Sequence, residues 1–393
     1  MQVCGVICEY NPFHKGHALH LARARVLSGA DYIVCAMSGS VTQRGAFARH
    51  DKWTRARMAL SSGCDLVIEL PARFSSAPAQ EFAAGGVSLL SSLGVVSHLS
   101  FGCEKQAVPL LETAANLFAE ESPAFKSALR MYLDQGLPYP RARALAAEQV
   151  CEMDSGLIAL PNASLAIEYL RALPKHITPV PVVREGSGYH DEALSALSSA
   201  TAIRAAIERG ELNQALCAVP CPDLLKAAHE RGDIHEEEAL TRALLYRLRT
   251  MNARELAAIA GMEEGLEHRF LASARTARTR DELILSVKSK RYTYARLSRI
   301  SMNILLNITK DFAQENAAPT YARVLGFKRE AQPLLRAIKE HSSIPLVTKA
   351  ADYSREDPLF SLDVRAQDLW SLGCTSDTLQ KSGRDFTTGP VII

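Results

Sequence analysis

No apolar run among the 393 residues approaches the roughly 20 that a membrane-spanning helix needs. Charge of one sign is not in excess either. The 45 Lys and Arg stand against 43 Asp and Glu, a formal net charge of +2, which excludes a uniformly basic coat and leaves room for a local basic patch. The opening segment Met1–Glu9 lacks a basic start and meets an acid early, so it is expected to form a first β-strand and not a secretion signal. The 9 cysteines are odd in number and scattered, and Cys217 and Cys221, which flank a Pro-rich turn, are followed by no matching pair with His. They read as small buried thiols in a reducing cytosol, with a Cys217/Cys221 metal site as the weaker alternative, and the protein is expected to be cytoplasmic. Internal repeats and low-complexity tracts are also lacking. What is present is ordinary globular composition, 47% hydrophobic and 22% charged. The length suits two or three domains and a core that needs neither disulfide nor metal.

Short apolar runs alternate with helical spacing through the first half. The runs are Val3 to Cys8, Tyr32 to Met37, Leu66 to Leu70, His98 to Phe101 and Ile177 to Val183. Between the first four lie Ala18 to Leu27, Lys52 to Leu60 and Gln80 to Leu93, with apolar residues at helical intervals. Strand, helix, strand, repeated, predicts an α/β fold with a Rossmann-like parallel sheet, helices on both faces and a ligand crevice at the carboxyl ends of the strands. The prolines of the fifth run argue for an edge or an irregular strand. After Thr201 the texture becomes helical, with Leu240, Leu244, Leu245 and Leu248 at intervals of three and four, and no strand is expected before Pro345-Leu346-Val347. The expected division is 1–205 for the sheet domain and 206–393 for a mainly α-helical domain whose tail from Ala351 packs back on the first.

The segment Glu9-Tyr10-Asn11-Pro12-Phe13-His14-Lys15-Gly16-His17 follows the first strand and opens a helix. Asn11-Pro12 forces a turn, because the residue before proline avoids the α region. Gly16 lets a ligand approach the backbone. His14 and His17 are three apart and face one side of the first helical turn, with His20 extending the stripe. A helix start offers free N–H groups and the positive end of a dipole, a site suited to phosphate, and imidazoles there can stabilise charge as it develops. The bland alternative for a histidine at a helix start is a cap or a surface residue. A zinc site would want a third ligand close by, and the sequence offers none, so no metal is assigned to protein ligands.

A second cluster, Ser198-Ser199-Ala200-Thr201-Ala202-Ile203-Arg204, lies at the far end of the same domain. Ser199 suits the N-cap of the next helix, Thr201 its first turn, and Arg204 lies three further on. Hydroxyls, free N–H groups and a guanidinium would then converge on one phosphate region. Taken alone, an ordinary cap with a solvated arginine explains this cluster better.

Together, His-x-Gly-His after strand one and Ser-Ser-x-Thr-x-Ile-Arg after the last strand resemble the nucleotidylyltransferase superfamily. Class I aminoacyl-tRNA synthetases share the first motif, but their Lys-Met-Ser-Lys-Ser type loop is not found here. Val6-Ile7-Cys8-Glu9-Tyr10-Asn11-Pro12-Phe13-His14, Met37-Ser38-Gly39, Gln43-Arg44-Gly45, Val67-Ile68-Glu69-Leu70-Pro71, Phe101-Gly102-Cys103-Glu104, Pro161-Asn162-Ala163-Ser164 and Lys290-Arg291-Tyr292-Thr293 narrow the match. In that order they resemble the bacterial tRNA(Met) cytidine acetate ligase family, from Gly5 to about Gly326. The resemblance implies ATP-dependent activation of acetate as acetyl-adenylate, then transfer to the wobble cytidine of elongator tRNA(Met). It implies ATP contacts from Ile7, Cys8, Glu9, Tyr10, Asn11, Pro12, Phe13, His14, Lys15, Gly16, His17, Ala18, Leu19 and His20, and from Gly102, Asn162 and Arg184. Ser199, Thr201 and Arg204 join them from the second cluster, and His14 and His17 are the expected catalytic pair. Gly102 should border the crevice at the end of strand four, and Asn162 should offer a donor and an acceptor from a loop. A magnesium ion could escort the pyrophosphate on water and ATP oxygens alone.

From Thr241 to Ile300 there are 13 Lys/Arg and 6 Asp/Glu, so the rest of the chain balances near −5. Such a local excess suits RNA phosphates. Lys288, Lys290, Arg291, Tyr292, Arg296 and Arg299 are the expected tRNA contacts, the tyrosine by stacking on a base. A solvated basic helix face with Tyr packed inward is the alternative. Lys52, Arg55 and Arg57 form a second basic stripe expected beside the crevice. Two other functions compete with the ligase. A small-molecule cofactor adenylyltransferase would need no basic helical half, and a non-catalytic RNA-binding protein would need no intact His14, His17, Thr201 and Arg204.

Overall fold

Alternation of burial builds the central layer. Along β1 (Val3–Cys8), β2 (Tyr32–Ser38) and β3 (Leu66–Leu70), Val3, Val34, Ala36, Leu66 and Ile68 enter one core. Cys4, Val6, Ile33, Cys35 and Val67 enter the other. A sheet buried on both faces reads as near-continuous apolar runs, as these segments do apart from Glu69 and Ser38. The structure, a computed structural model, describes residues 1–103, 108–183 and 198–393. It adds β4 (His98–Cys103), β5 (Thr178–Val183), β6 (Ala322–Phe327), β7 (Leu346–Val347) and β8 (Val391–Ile392). The order is β5-β4-β1-β2-β3-β6-β7, with β8 on β6. The first five strands are mutually parallel. Strand β5 lies at the edge, where Pro179 and Pro181 cost no internal ladder. Helices α1 (Lys15–Ser28) and α2 (Lys52–Leu60) cover one face, and the helix Ala79–Ser92 covers the other. Among the described residues no helix is long and apolar enough to cross a membrane.

The second half departs from its expected form. The helices Thr241–Thr250, Leu266–Ser273, Arg280–Val287 and Tyr294–Leu306 do enclose a core of their own, built on Leu244, Leu248, Phe270, Leu283, Ile284 and Ile300. The chain then returns to the sheet, however, and β6 pairs antiparallel with β3. The segment 206–393 is therefore not one helical unit. Strand β6 escapes pattern reading because Arg323 and Gly326 interrupt its apolar run. Arg323 is buried in an ion pair, and a Cβ at Gly326 would stand 2.7 Å from the Val391 carbonyl oxygen. The tail packs back as expected. The helix Pro358–Leu372 puts Phe360 in the main core, and β8 pairs with β6.

The basic stripe of α2 is also corrected. Lys52 and Arg55 are wholly buried, and only Arg57 is exposed. Lys52 Nζ stands 2.7 Å from Glu69 Oε1 on β3 and 2.7 Å from Asp385 Oδ1. Arg323 of β6 pairs with Asp385 and approaches Glu69 Oε2 at 3.3 Å. Two cations and two anions thus neutralise one another inside the protein. Burial pushes the Asp385 carboxyl up, but Lys52 and Arg323 outweigh it and hold the group below its ordinary range. Arg55 instead satisfies backbone. Its guanidinium donates to the carbonyls of Glu9 at 2.7 Å and Ser38 at 2.9 Å, and also to that of Gly39, while Nε reaches His50 O at 3.0 Å.

Removing one member of such a group leaves an uncompensated buried charge. Lys52→Met should destabilise the protein by about 3–5 kcal/mol. Adding Glu69→Gln, which leaves Arg323 and Asp385 as a balanced pair, should recover part of that loss. Denaturant unfolding of the single and double variants measures both effects.

Candidate active site

The turn after β1 and the start of α1 are fixed by their own side chains. His14 is the N-cap, and its Nδ1 accepts from the backbone N–H of Gly16 at 3.1 Å. His17 Nδ1 accepts in turn from the backbone N–H of His14 at 3.2 Å. The two bonds form a capping box made of imidazoles. Each ring, accepting at Nδ1, carries its proton at Nε2, so both present a donor on the far edge. The rings stack with centroids 3.6 Å apart, and Tyr10 supports His17 at 4.8 Å. Gly16 has a local reason as well, since a Cβ there would lie 2.9 Å from His14 Cε1. His20 takes a different course, its Nε2 lying 3.0 Å from Ser100 Oγ on β4.

The second cluster meets the first through Arg204. Its Nη1 donates to Asn11 O at 2.6 Å and its Nη2 to Thr201 Oγ1 at 3.3 Å. Ser199 caps the helix Ala200–Glu208, so its hydroxyl is engaged by Ala202 N at 3.2 Å, while Thr201 is exposed. Both clusters line one cavity of about 890 Å³ at the carboxyl ends of the parallel strands. Of the residues expected there, Ile7, Cys8, Glu9, Tyr10, Asn11, His14, Gly16, His17, Leu19, His20, Gly102, Asn162, Ser199, Thr201 and Arg204 line it. Pro12, Phe13, Lys15 and Ala18 do not; Phe13 is buried beneath the helix start and Lys15 faces outward. Asn162 sits in the first turn of the helix Pro161–Ala172 and not in a loop, because Pro161 occupies a position that starts helices well. Arg184 lies outside the described residues.

One wall was not expected. The loop after β2 brings Gln43, Arg44, Phe47 and Arg49 to the cavity. Its only sequence signal is Gln43-Arg44-Gly45, a motif without periodicity. Gln43 N donates to Glu9 Oε1 at 2.6 Å, and Arg49 N donates to Asn11 Oδ1 at 2.7 Å. Burial raises the Glu9 carboxyl above its ordinary range, against the pull of the Gln43 N–H and of Arg204, Arg44 and Arg55. The same loop is gripped by the helical half. Gly45 O accepts from Ser298 Oγ at 3.1 Å and from Arg280, and Gln43 O accepts from Arg299 Nη1 at 3.3 Å.

The expected RNA contacts divide. Lys288, Lys290 and Arg291 are exposed. Tyr292 is 8% exposed in the helical core, with its hydroxyl on Glu263 at 3.2 Å, so it offers no face for a base. Arg296 is paired with Glu263 at 2.5 Å, and Arg299 faces the cavity-wall loop. The helical core needed an aromatic residue at 292, and the basic run around it concealed that need. Cys217 is exposed and Cys221 half-buried, and among the described residues no group of three or more His, Cys, Asp and Glu could hold a metal ion.

Residues 1–385 match the HIGH Nucleotidyl Transferase family. The chain is 37% identical to the tRNA(Met) cytidine acetate ligase of Acetivibrio thermocellus over 418 aligned positions, covering 100% of both proteins. It is 37% identical to the tRNA(Met) cytidine acetate ligase of Clostridium perfringens strain SM101, again over 100% of both. Its structure superposes on crystalline TmcAL of Thermotoga maritima bound with alpha-thio ATP, with a TM-score of 0.92, 30% identity and 100% of each chain covered.

The grip on Gly45 can be tested directly. Gly45 has φ +74°, and a Cβ would come within 2.4 Å of the Arg299 backbone. Gly29 has φ +62° with nothing within 4 Å. Gly29→Ala should therefore cost only its left-handed backbone term of about 1 kcal/mol. Gly45→Ala adds a clash with backbone and should cost roughly 1–3 kcal/mol more. Thermal unfolding of both variants gives the comparison.

Proposed function

The chain belongs to the tRNA(Met) cytidine acetate ligase family of HIGH nucleotidyl transferases, and from that membership we propose that it joins acetate to the wobble cytidine of elongator tRNA(Met), cleaving ATP to AMP and pyrophosphate in the cytoplasm. A carboxylate oxygen of acetate attacks the α-phosphorus, the bond to the bridging oxygen breaks, and pyrophosphate leaves. The exocyclic amine of the cytidine then attacks the acetyl carbon. AMP departs with the bonding electrons, the amine proton passes to solvent, and N4-acetylcytidine remains.

The observation that carries this reading is the shared cavity. It is lined by the imidazole capping box, by Arg204, which bridges the two motifs, and by Ser298 of the basic helical half. The N-terminus of α1 suits the triphosphate. The two Nε2–H groups and the Arg204 guanidinium are fixed before the reaction, so they can meet the charge that develops as pyrophosphate leaves. Asn162 and Gly102 line the same cavity and would hold the adenosine. The exposed Lys288, Lys290 and Arg291 take tRNA phosphates.

The decisive experiment incubates the protein with ATP and labelled acetate, with and without elongator tRNA(Met). Label is expected in acetyl-adenylate without tRNA and in the anticodon cytidine with it, and ATP turnover that leaves tRNA unlabelled, or no ATP turnover, would end this reading. His14→Ala and His17→Ala should each lower acetate-dependent ATP–pyrophosphate exchange by about a hundredfold to a thousandfold. Each also removes a helix cap worth about 1 kcal/mol, so rates must be referred to the folded fraction. Lys288→Ala, Lys290→Ala and Arg291→Ala together should weaken tRNA binding and lower its salt slope by roughly one unit per lost phosphate contact. Exchange without tRNA should stay unchanged.

A further inference from the structure

The helix Thr241–Thr250 carries Arg242, Arg247 and Arg249 and no acid. Its inner side, Leu244, Leu245 and Leu248, is buried in the helical core. Arg242, Tyr246 and Arg249 are spaced at i, i+4 and i+7 and are all exposed, so they form one outward stripe. Tyr246 is 67% exposed, an unusual place for a large aromatic ring. Among the described residues the side chains of Arg242 and Tyr246 have no hydrogen-bond or ion-pair partner. Arg249 uses only Nε, on Ala274 O at 2.9 Å, which holds its guanidinium in place with the other nitrogens left to a ligand.

The helix follows in the chain a turn that reaches the cavity. Glu237 lines the cavity and begins the turn Glu237–Leu240 that leads into this helix. The acids of that turn are engaged: Glu237 pairs with Arg280 at 2.9 Å, and Glu238 accepts from Thr241 and from the Arg280 backbone. The two outer arginines are about 10 Å apart along the helix axis, seven residues at the helical rise. That distance, with Arg249 held in place and Arg242 free to adjust, brackets one nucleotide and the phosphates on its two sides. A ring between two guanidinium groups is the arrangement that holds an unstacked base.

We infer that the outer face of the helix Thr241–Thr250 is an RNA-contact surface. Tyr246 stacks a nucleobase next to the target cytidine, and Arg242 and Arg249 hold the flanking phosphates. This rests on the ligase reading above and adds the place where the anticodon loop is gripped as it enters the cavity.

The test measures binding of an elongator tRNA(Met) transcript to the full chain across a salt series. Tyr246→Ala should weaken binding about fivefold to a hundredfold, the range for one lost base stack. Tyr246→Phe, which keeps the ring, should bind like the unaltered protein. Arg242→Gln with Arg249→Gln should lower the salt slope by roughly two units. All variants should retain acetate-dependent ATP–pyrophosphate exchange without tRNA. Unaltered tRNA affinity in Tyr246→Ala at every salt concentration would overturn the inference while leaving the ligase reading intact. Failure of the unaltered protein to bind tRNA would overturn both. Binding of poly-glutamate as tight as that of tRNA, weakened equally by Tyr246→Ala, would assign the face to an acidic protein instead.

Discussion

Four charges buried between strands hold this molecule in register. Lys52, Glu69, Arg323 and Asp385 come from α2, β3, β6 and the C-terminal segment, and each has an opposite charge within a few ångströms. An isolated charge at this depth would be prohibitive, so each member depends on an opposite charge being in place. Its formation places the antiparallel β6 against β3 and anchors the start of α2. From α2, Arg55 reaches back to the carbonyls of Glu9, Ser38 and Gly39 and so shapes two of the cavity-side loops. The cavity therefore depends on an interaction that no part of it touches.

The imidazole pair shows how local structure and chemistry share the same bonds. The hydrogen bonds that cap α1 also place the protons on the outer nitrogens of both rings. Alanine at position 14 would remove cap and donor together, whereas Asn or Ser there would keep the cap and lose the imidazole donor. The helical half is bound in as tightly. It supplies the groups that hold Gly45 and Gln43, so one wall of the nucleotide cavity is secured by the part of the protein that carries the basic surface.

Much of this was readable from residue patterns, for identifiable reasons. The five parallel strands are mostly apolar because both faces of the sheet are covered. The two motifs that meet in the cavity stand beside strand ends and helix starts, which have signals of their own. The misread charges have one cause. Lys52, Arg55 and Arg323 carry the charge of surface residues, and what buries them lies far away in the chain, at Glu69, Asp385 and a set of carbonyl groups. Tyr292 failed likewise: its basic neighbours suggested RNA, whereas its ring completes a core. The cavity-wall loop from Gln43 to Arg49 has no periodicity, so only the fold could bring it to the site.

The order in which the chain is made gives the four-charge group a temporal meaning. Lys52 and Glu69 emerge early from the ribosome, Arg323 much later, and Asp385 later still. Between the synthesis of Arg323 and that of Asp385, the nascent protein holds two cations against one anion at the seam between β3 and β6. The first five strands can assemble, as N-terminal segments generally do during synthesis, but that seam stays hydrated and open. The closing of this seam then waits for Asp385, and a chain truncated before it would present an unfinished sheet edge to chaperones and proteases rather than a smaller working enzyme.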